Sequence, residues 1–294
     1  MARPRPRWSA AVDFGGTLTD VILRPSPDDG CGDRLSSLLS EGPADPSRLD
    51  AALAGALARH GVLPGDLDVV AATGGRSFAL PDRWRGRPLR RVAETRAIAR
   101  GGLVSGAAAP ALVASLGTGT ALVLAREEED PIHLVGSGIG GGTLLGLSRL
   151  LLGTTDVGEI DALAREGDPG ACDLQVRDIL GGGIGSVPAE ATAAHFGRLG
   201  REPGGGAAGR ADVAAALVNL VAQSILRLAF EAALHHRVRS ILLAGHLLDV
   251  AEFRAAVLRI PSLDPGFVRF APDPGHAVAR GALEEALRES AARA

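Results

Sequence analysis

The sequence predicts an α/β fold made of two related halves around a cleft, and three observations carry that prediction. Strand and helix patterns alternate along all 294 residues, the arrangement that builds layered α/β domains. A strand–glycine turn–strand unit at residues 13–17 returns at 116–120. A third glycine run, Gly136 to Gly142, follows a strand and leads into a helix.

Trp8 to Asp13 is an apolar run ending in a carboxylate. Gly15, Gly16 and Thr17 follow, and Leu18 to Leu23 reads as the returning strand of a hairpin. Residues 25–47, rich in Pro, Asp, Gly and Ser, read as loop with a short connecting segment. Ser47 to His60 has helical periodicity, with Ser47 as N-cap and Gly61 as the stop. Leu67 to Ala72 is a short buried strand running into Thr73-Gly74-Gly75. Residues 76–91 are basic and irregular, and Val92 to Ile98 leads into a helix bearing Glu94. The pattern then restarts with a strand at Ala111 to Leu116, a turn at Gly117 to Thr120 and a returning strand at Ala121 to Ala125. Ile132 to Val135 precedes the long glycine run and a helix from Thr143 to Leu152. Residues 200–209 form a Gly-rich loop. Asp212 to His235 is a long apolar helix, Ser240 to Ala244 a buried strand, Ala251 to Leu258 a helix and Ala277 to Ser290 a closing helix.

Composition bounds the function. With 46% hydrophobic residues the chain can bury a large core. A net charge of −3 gives no footprint for nucleic acid. Cys31 and Cys172 are the two cysteines and have no metal-ligand spacing, so neither a disulfide framework nor a zinc site is expected. The basic start, Met1 to Arg7, leads into a strand rather than a signal-peptide core. No run reads as long and uninterrupted enough to span a bilayer, and a reducing, cytoplasmic setting is expected. Lysine is absent, so cationic help at an anion must come from arginine or a metal ion. Arg83, Arg85, Arg87, Arg90 and Arg91, interleaved with Trp84, read as a solvated loop face or as an attractor for a phosphorylated ligand. The His235-His236 pair reads as a helix end, and residues 213–234 as a core or subunit-interface helix.

Glycine turns let a backbone approach phosphates and aim N–H groups at them. Asp13-Phe14-Gly15-Gly16-Thr17 and Leu116-Gly117-Thr118-Gly119-Thr120 are two such turns at strand ends. Asp13 is placed to hold Mg²⁺, which prefers oxygen ligands and keeps several waters. Gly140, Gly141 and Gly142 open a helix, a site for an anion or for an approaching ribose and base.

Gly117-Thr118-Gly119-Thr120 and the run Gly136-Ser137-Gly138-Ile139-Gly140-Gly141-Gly142-Thr143-Leu144-Leu145-Gly146-Leu147 resemble the signature of type II pantothenate kinases. Gly167-Asp168, Val176-Arg177-Asp178-Ile179, Thr192-Ala193-Ala194-His195-Phe196-Gly197 and Gly281-Ala282-Leu283 match in the family's order. Asp13 to Thr19 is similar to its first phosphate loop, so the resemblance covers roughly residues 10–285. It implies the two-domain actin/hexokinase/Hsp70-like ATPase fold, with ribonuclease H-like domains at 8–112 and 113–294 around an ATP cleft. It also implies ATP and Mg²⁺ as cofactors. Phosphates would meet Gly15, Gly16, Thr17, Gly117, Thr118 and Gly119, and adenosine would lie near Gly140 to Gly142 and Gly245. Glu94 matches the catalytic carboxylate, and Thr118, His133 and Thr192 fall at substrate positions. Phosphorylation of pantothenate's primary hydroxyl in coenzyme A biosynthesis, a homodimer, and CoA or acyl-CoA as inhibitor follow from the same resemblance.

Three positions depart from the family. Asp20 stands where it usually has lysine, and a solvent-facing placement on the hairpin is expected for it. His133 replaces an arginine that would meet the pantothenate carboxylate, and Ala121 replaces a hydroxyl residue. Losing an arginine removes a bidentate carboxylate partner. A substrate without a carboxylate (pantetheine, for example), use of Arg100 or another arginine, and lost activity all remain open. A catalytically impaired nucleotide switch is therefore one rival reading. An amidohydrolase-type ATPase subunit is the other, suggested by the Asp13-Phe14-Gly15-Gly16-Thr17-Leu18-Thr19-Asp20 run and opposed by the long 136–147 motif and the chain's short length.

Overall fold

The computed structural model describes residues 7–26, 32–40, 42–185, 187–201, 208–260 and 267–292. In the first half, β1 (Arg7–Phe14), β2 (Leu18–Ser26) and β3 (Arg34–Leu39) form an antiparallel meander. Helix α1 (Pro46–His60), β4 (Leu67–Gly74), β5 (Arg83–Trp84), β6 (Arg87–Arg91) and α2 (Glu94–Val104) follow. Strand β4 pairs parallel with β1, and β6 parallel with β4.

The second half repeats the plan. Strands β7 (Ala111–Leu116), β8 (Thr120–Ala125) and β9 (Ile132–Ser137) make the meander. Next come α3 (Gly141–Leu152), α4 (Val157–Glu166), β10 (Leu174–Gln175), α5 (Val176–Leu180), β11 (Thr192–Ala194) and α6 (Arg210–His235). Then β12 (Ile241–Ala244), α7 (Ala251–Leu258), β13 (Val268–Phe270) and α8 (Ala277–Ala291) complete the chain. Strand β12 lies parallel beside β7, and β13 parallel beside β12. The strand orders are β3-β2-β1-β4-β6-β5 and β13-β12-β7-β8-β9, so one topology is built twice.

Period-two alternation divides the core among three clusters. On β1, Ala10 and Val12 face a cluster with Leu49, Leu53 and Leu57 of α1, while Ala11 faces the other way. On β7, Leu112 and Ala114 join the apolar face of α6, while Val113 faces the other way. Ala11 and Val113 meet in a shared cluster with Ala97 and Ile98 of α2 and Ala279, Ala282 and Leu283 of α8. These two helices therefore fill the space between the sheets. Their backbones touch: a Cβ on Gly281 would lie 1.9 Å from the Ala97 carbonyl oxygen. Only glycine allows that crossing, which sets the height at which α2 presents its first residue, Glu94.

The structure corrects several sequence expectations. Part of the 25–47 stretch is strand β3, an edge strand whose polar outer face hid its pairing with β2. Within 76–91, β5 and β6 form a short hairpin. Asp45, not Ser47, caps α1: its carboxylate accepts from the Ser47 and Arg48 amides, and Pro46 fills the first helical position. Helix α6 is long and apolar enough to cross a membrane by length and composition, contrary to expectation, but 61% of its apolar window is buried against the protein. The Gly-rich loop expected at 200–209 falls mostly on residues 202–207, outside the described residues, as does Cys31. Arg85 pairs with Asp50 and Arg91 with Asp82, so these two members of the arginine stretch are tied into the surface.

Candidate functional site

The two hairpin turns face each other across one cleft of about 600 Å³, a volume within the usual range for small-molecule sites. They touch: the Thr17 and Thr118 hydroxyls are 2.8 Å apart. Gly15, Gly16 and Thr17 line the cleft from the first half, and Gly117, Thr118 and Gly119 from the second. Aliphatic side chains from α3, α4 and the segment after β12, including Leu144, Leu145, Ile160 and Val250, supply an apolar wall.

The second turn is braced by the long glycine motif. The Gly141 amide donates to the Gly117 carbonyl and the Gly142 amide to the Thr118 carbonyl, each at 2.9 Å. The Thr120 hydroxyl donates to the Ile139 carbonyl at 2.8 Å. The first amides of α3 are thus already bonded, and they fix the turn rather than waiting for an anion. Of Gly140, Gly141 and Gly142, Gly141 alone lines the cleft. Gly245 does line it, at φ 110° and ψ 161°, a conformation that favours glycine. A Cβ there would sit 2.3 Å from the Leu116 carbonyl oxygen, so the β12 end packs directly against the end of β7.

Among the described residues three carboxylates line the cleft. Asp13, next to last on β1, lies deep in the cleft though still touched by solvent, and its direct cross-strand neighbour on β2 is Asp20. Burial first, and then repulsion from Asp20 and Glu94, push the Asp13 carboxyl up to about 7. Glu94 is the first residue of α2 and is exposed. Asp20 contradicts its expected solvent-facing placement, being only 4% exposed. Its Oδ1 accepts from the Ser37 hydroxyl at 2.5 Å and lies 2.9 Å from His246 Nε2. His246, just past Gly245, also lines the cleft and has Nδ1 2.6 Å from Asp249 Oδ2. The glycine pattern in the sequence points to Gly245 and not to His246. The histidine next to it, after a fully buried strand, was the available signal.

Thr118 lies in the cleft, whereas His133 and Thr192 do not line it. His133 is exposed on β9, with Nε2 3.8 Å from where a Gly136 Cβ would stand, beside the rim. Thr192 belongs to a separate polar network. Its hydroxyl accepts from Asn219 at 3.2 Å and Gln223 at 3.1 Å, and Asn219 also donates to the buried Asp173 at 2.9 Å. Arg100 is paired with Glu285 away from the cleft. Among the described residues no group of three or more His, Cys, Asp or Glu side chains could close around a metal ion.

Comparison with known proteins bears on this arrangement. The Fumble family model matches residues 103–260. A type II pantothenate kinase of Oceanobacillus iheyensis is 30% identical over 173 residues, covering 58% of this chain and 63% of that protein. One from Bacillus cereus is 26% identical over 181 residues, covering 60% and 64%. The matches thus span less than two thirds of these relatives' length. Among solved structures, the activator of 2-hydroxyisocaproyl-CoA dehydratase from Clostridium difficile, with ADPNP bound, superposes with a TM-score of 0.65 at 15% identity, covering 97% of this chain and 96% of that one. The ROK hexokinase of Thermus thermophilus superposes at 0.51 with 16% identity, covering 96% and 99%. These two likenesses establish the fold: two sheets of actin/hexokinase-like ATPase type around a cleft.

Proposed function

We propose that this chain, which belongs to the Fumble family, is an ATP- and Mg²⁺-dependent kinase that phosphorylates a primary hydroxyl of pantothenate or a close analogue such as pantetheine. The observation that carries the reading is the convergence of both glycine turns, Asp13 and Glu94 on one cleft. Phosphoryl transfer needs little covalent help from a protein and depends on alignment and charge neutralisation. In this reading domains 8–112 and 113–294 form the two walls, with α8 tying the second to the first.

The residues fit that chemistry. The turns Gly15 to Thr17 and Gly117 to Gly119 offer two hydroxyls and backbone amides to phosphate oxygens, apart from the Gly117 amide, which donates to the Gly119 carbonyl. Asp13 would hold Mg²⁺ as a single protein ligand, with waters and nucleotide oxygens completing the shell, as this ion prefers. When bound, the ion supplies neutralisation of the transferring group's charge. Glu94, exposed at the start of α2, accepts the acceptor hydroxyl's proton. Such general-base help is worth about 10²–10⁴ in rate. Thr118 orients the acceptor, with His133 at the rim and Thr192 in a supporting network. A cytoplasmic homodimer acting in coenzyme A synthesis, with CoA or acyl-CoA as inhibitor, belongs to the same reading.

A second reading keeps the nucleotide and drops the transfer, making the protein a regulatory switch. The buried Asp20, standing where the resembling family usually has lysine, favours it, since a carboxylate cannot stabilise the charge of a transferring phosphoryl group as a cation would. ATP turnover measured with pantothenate, pantetheine or no acceptor decides between them. Acceptor-dependent turnover that Glu94→Gln lowers by about 10²–10⁴ supports the kinase. ATP binding with no acceptor dependence on either compound supports the switch.

A further inference from the structure

The cleft has an unbalanced charge. Among the described residues Asp13, Asp20 and Glu94 line it, the one lining side chain able to carry positive charge is His246, and no arginine lines it. The chain has no lysine. A polyphosphate entering such a site meets like charge, which costs affinity in proportion to the phosphates it brings.

Both ring nitrogens of His246 face carboxylate oxygens, Nε2 toward Asp20 and Nδ1 toward Asp249. A ring with two acceptors must donate from both nitrogens, and so is an imidazolium. Burial opposes that charge, but the hydrogen bonds to Asp20 and Asp249 outweigh it and push His246 up to about 10. The neighbouring His276 ring, 5.9 Å away by centroid, is held below its ordinary value by burial and cannot substitute. Asp20 comes from the first half and His246 from the second, 226 residues later. The pair thus bridges the two walls.

We propose that His246 is a specificity-determining positioning residue: by cancelling the charge of Asp20 beside the phosphate turns, it lets the cleft accept nucleotides with long phosphate chains. It acts through Asp20 and makes no demand on the chemistry of transfer. The inference rests on the nucleotide reading above but is independent of whether the acceptor is pantothenate.

Calorimetric binding of ATP, ADP, AMP and adenosine, with Mg²⁺, to the wild type, His246→Asn, and the double variant Asp20→Asn/His246→Asn tests it. His246→Asn should weaken ATP binding about tenfold or more, ADP less, and adenosine hardly at all. The double variant, in which the Asp20 charge is removed together with its partner, should recover most of the ATP affinity. Adenosine binding and the thermal transition report whether each variant is folded. Equal losses for ATP and adenosine, or no recovery in the double variant, would mean that His246 only braces the two halves, and the inference fails. A wild type that binds none of the four sinks the nucleotide reading itself, and the inference with it.

Discussion

The two hairpins of this protein share a backbone but not a chemistry. Each is a strand, a glycine turn and an antiparallel return, with a parallel neighbour joined by a later crossover. In the first, the pair one step before the turn is Asp13 opposite Asp20. In the second, the corresponding pair is Ser115 opposite Ala121. The ladder repeats while the side chains on it differ. One wall of the cleft brings acid, and the other brings an uncharged turn braced by Gly141 and Gly142 together with His246. The topology alone would have suggested two equivalent phosphate loops.

The sharpest way to break that contrast is to neutralise the acid. Asp13→Asn should reduce Mg²⁺-dependent ATP turnover by about a hundredfold or more, on the scale seen when a charge-stabilising group is removed from such a site. Ser115→Ala should change it less than about threefold, since no transition-state charge is assigned to it. Similar losses from both would show that the halves are chemically equivalent after all, and steady-state kinetics at saturating Mg²⁺ reads the difference.

A smaller effect is expected at the strand end that joins the second wall. Gly245→Ala should lower stability by about 1–3 kcal/mol, the usual cost of forcing a non-glycine residue into such a backbone region. A Cβ so close to the Leu116 carbonyl would also displace the turn it supports. Gly138→Ala, where a Cβ would meet nothing within 4 Å, is the control. Chemical denaturation should separate the two, and indistinguishable midpoints would contradict the geometry.

The smallest effect is a pH dependence of stability, because the histidine pair is partly solvated at its rim. Burial opposes the charge on His246, but Asp20 and Asp249 outweigh it, so folding raises the His246 pKa to about 10. The native state therefore holds this proton more tightly than the unfolded chain, whose histidine titrates near ~6.5. The stabilisation is complete below about 6.5 and fades as pH rises toward 10. Asp13, facing the same cleft with a pKa of about 7, titrates in the same window and belongs in the fit. Melting temperatures of wild type and His246→Asn across pH 6 to 10 should converge at the alkaline end. A constant gap between them would remove the charge pair as its cause.

The local plan is legible along the chain. Alternating apolar residues and glycine punctuation made both hairpins, the helix after Gly142 and the long helix ending at His235 legible, because strand and helix periods are properties of neighbouring residues. The edge strand β3 and the Asp45 cap were missed at the same level, where polar residues compete for several local roles. Gly15 to Thr17 and Gly117 to Gly119 were readable as a pair because glycine turns declare themselves in sequence.

Tertiary structure alone decided what faces the cleft. Asp20 looked like a surface residue until β3 and the segment after β12 covered it. Its partner His246 lies 226 positions away, a separation across which no pattern in the chain carries information. The same holds for the use of the Gly141 and Gly142 amides. In sequence they are free helix-start donors, and only the approach of the second turn shows that its carbonyls have already taken them.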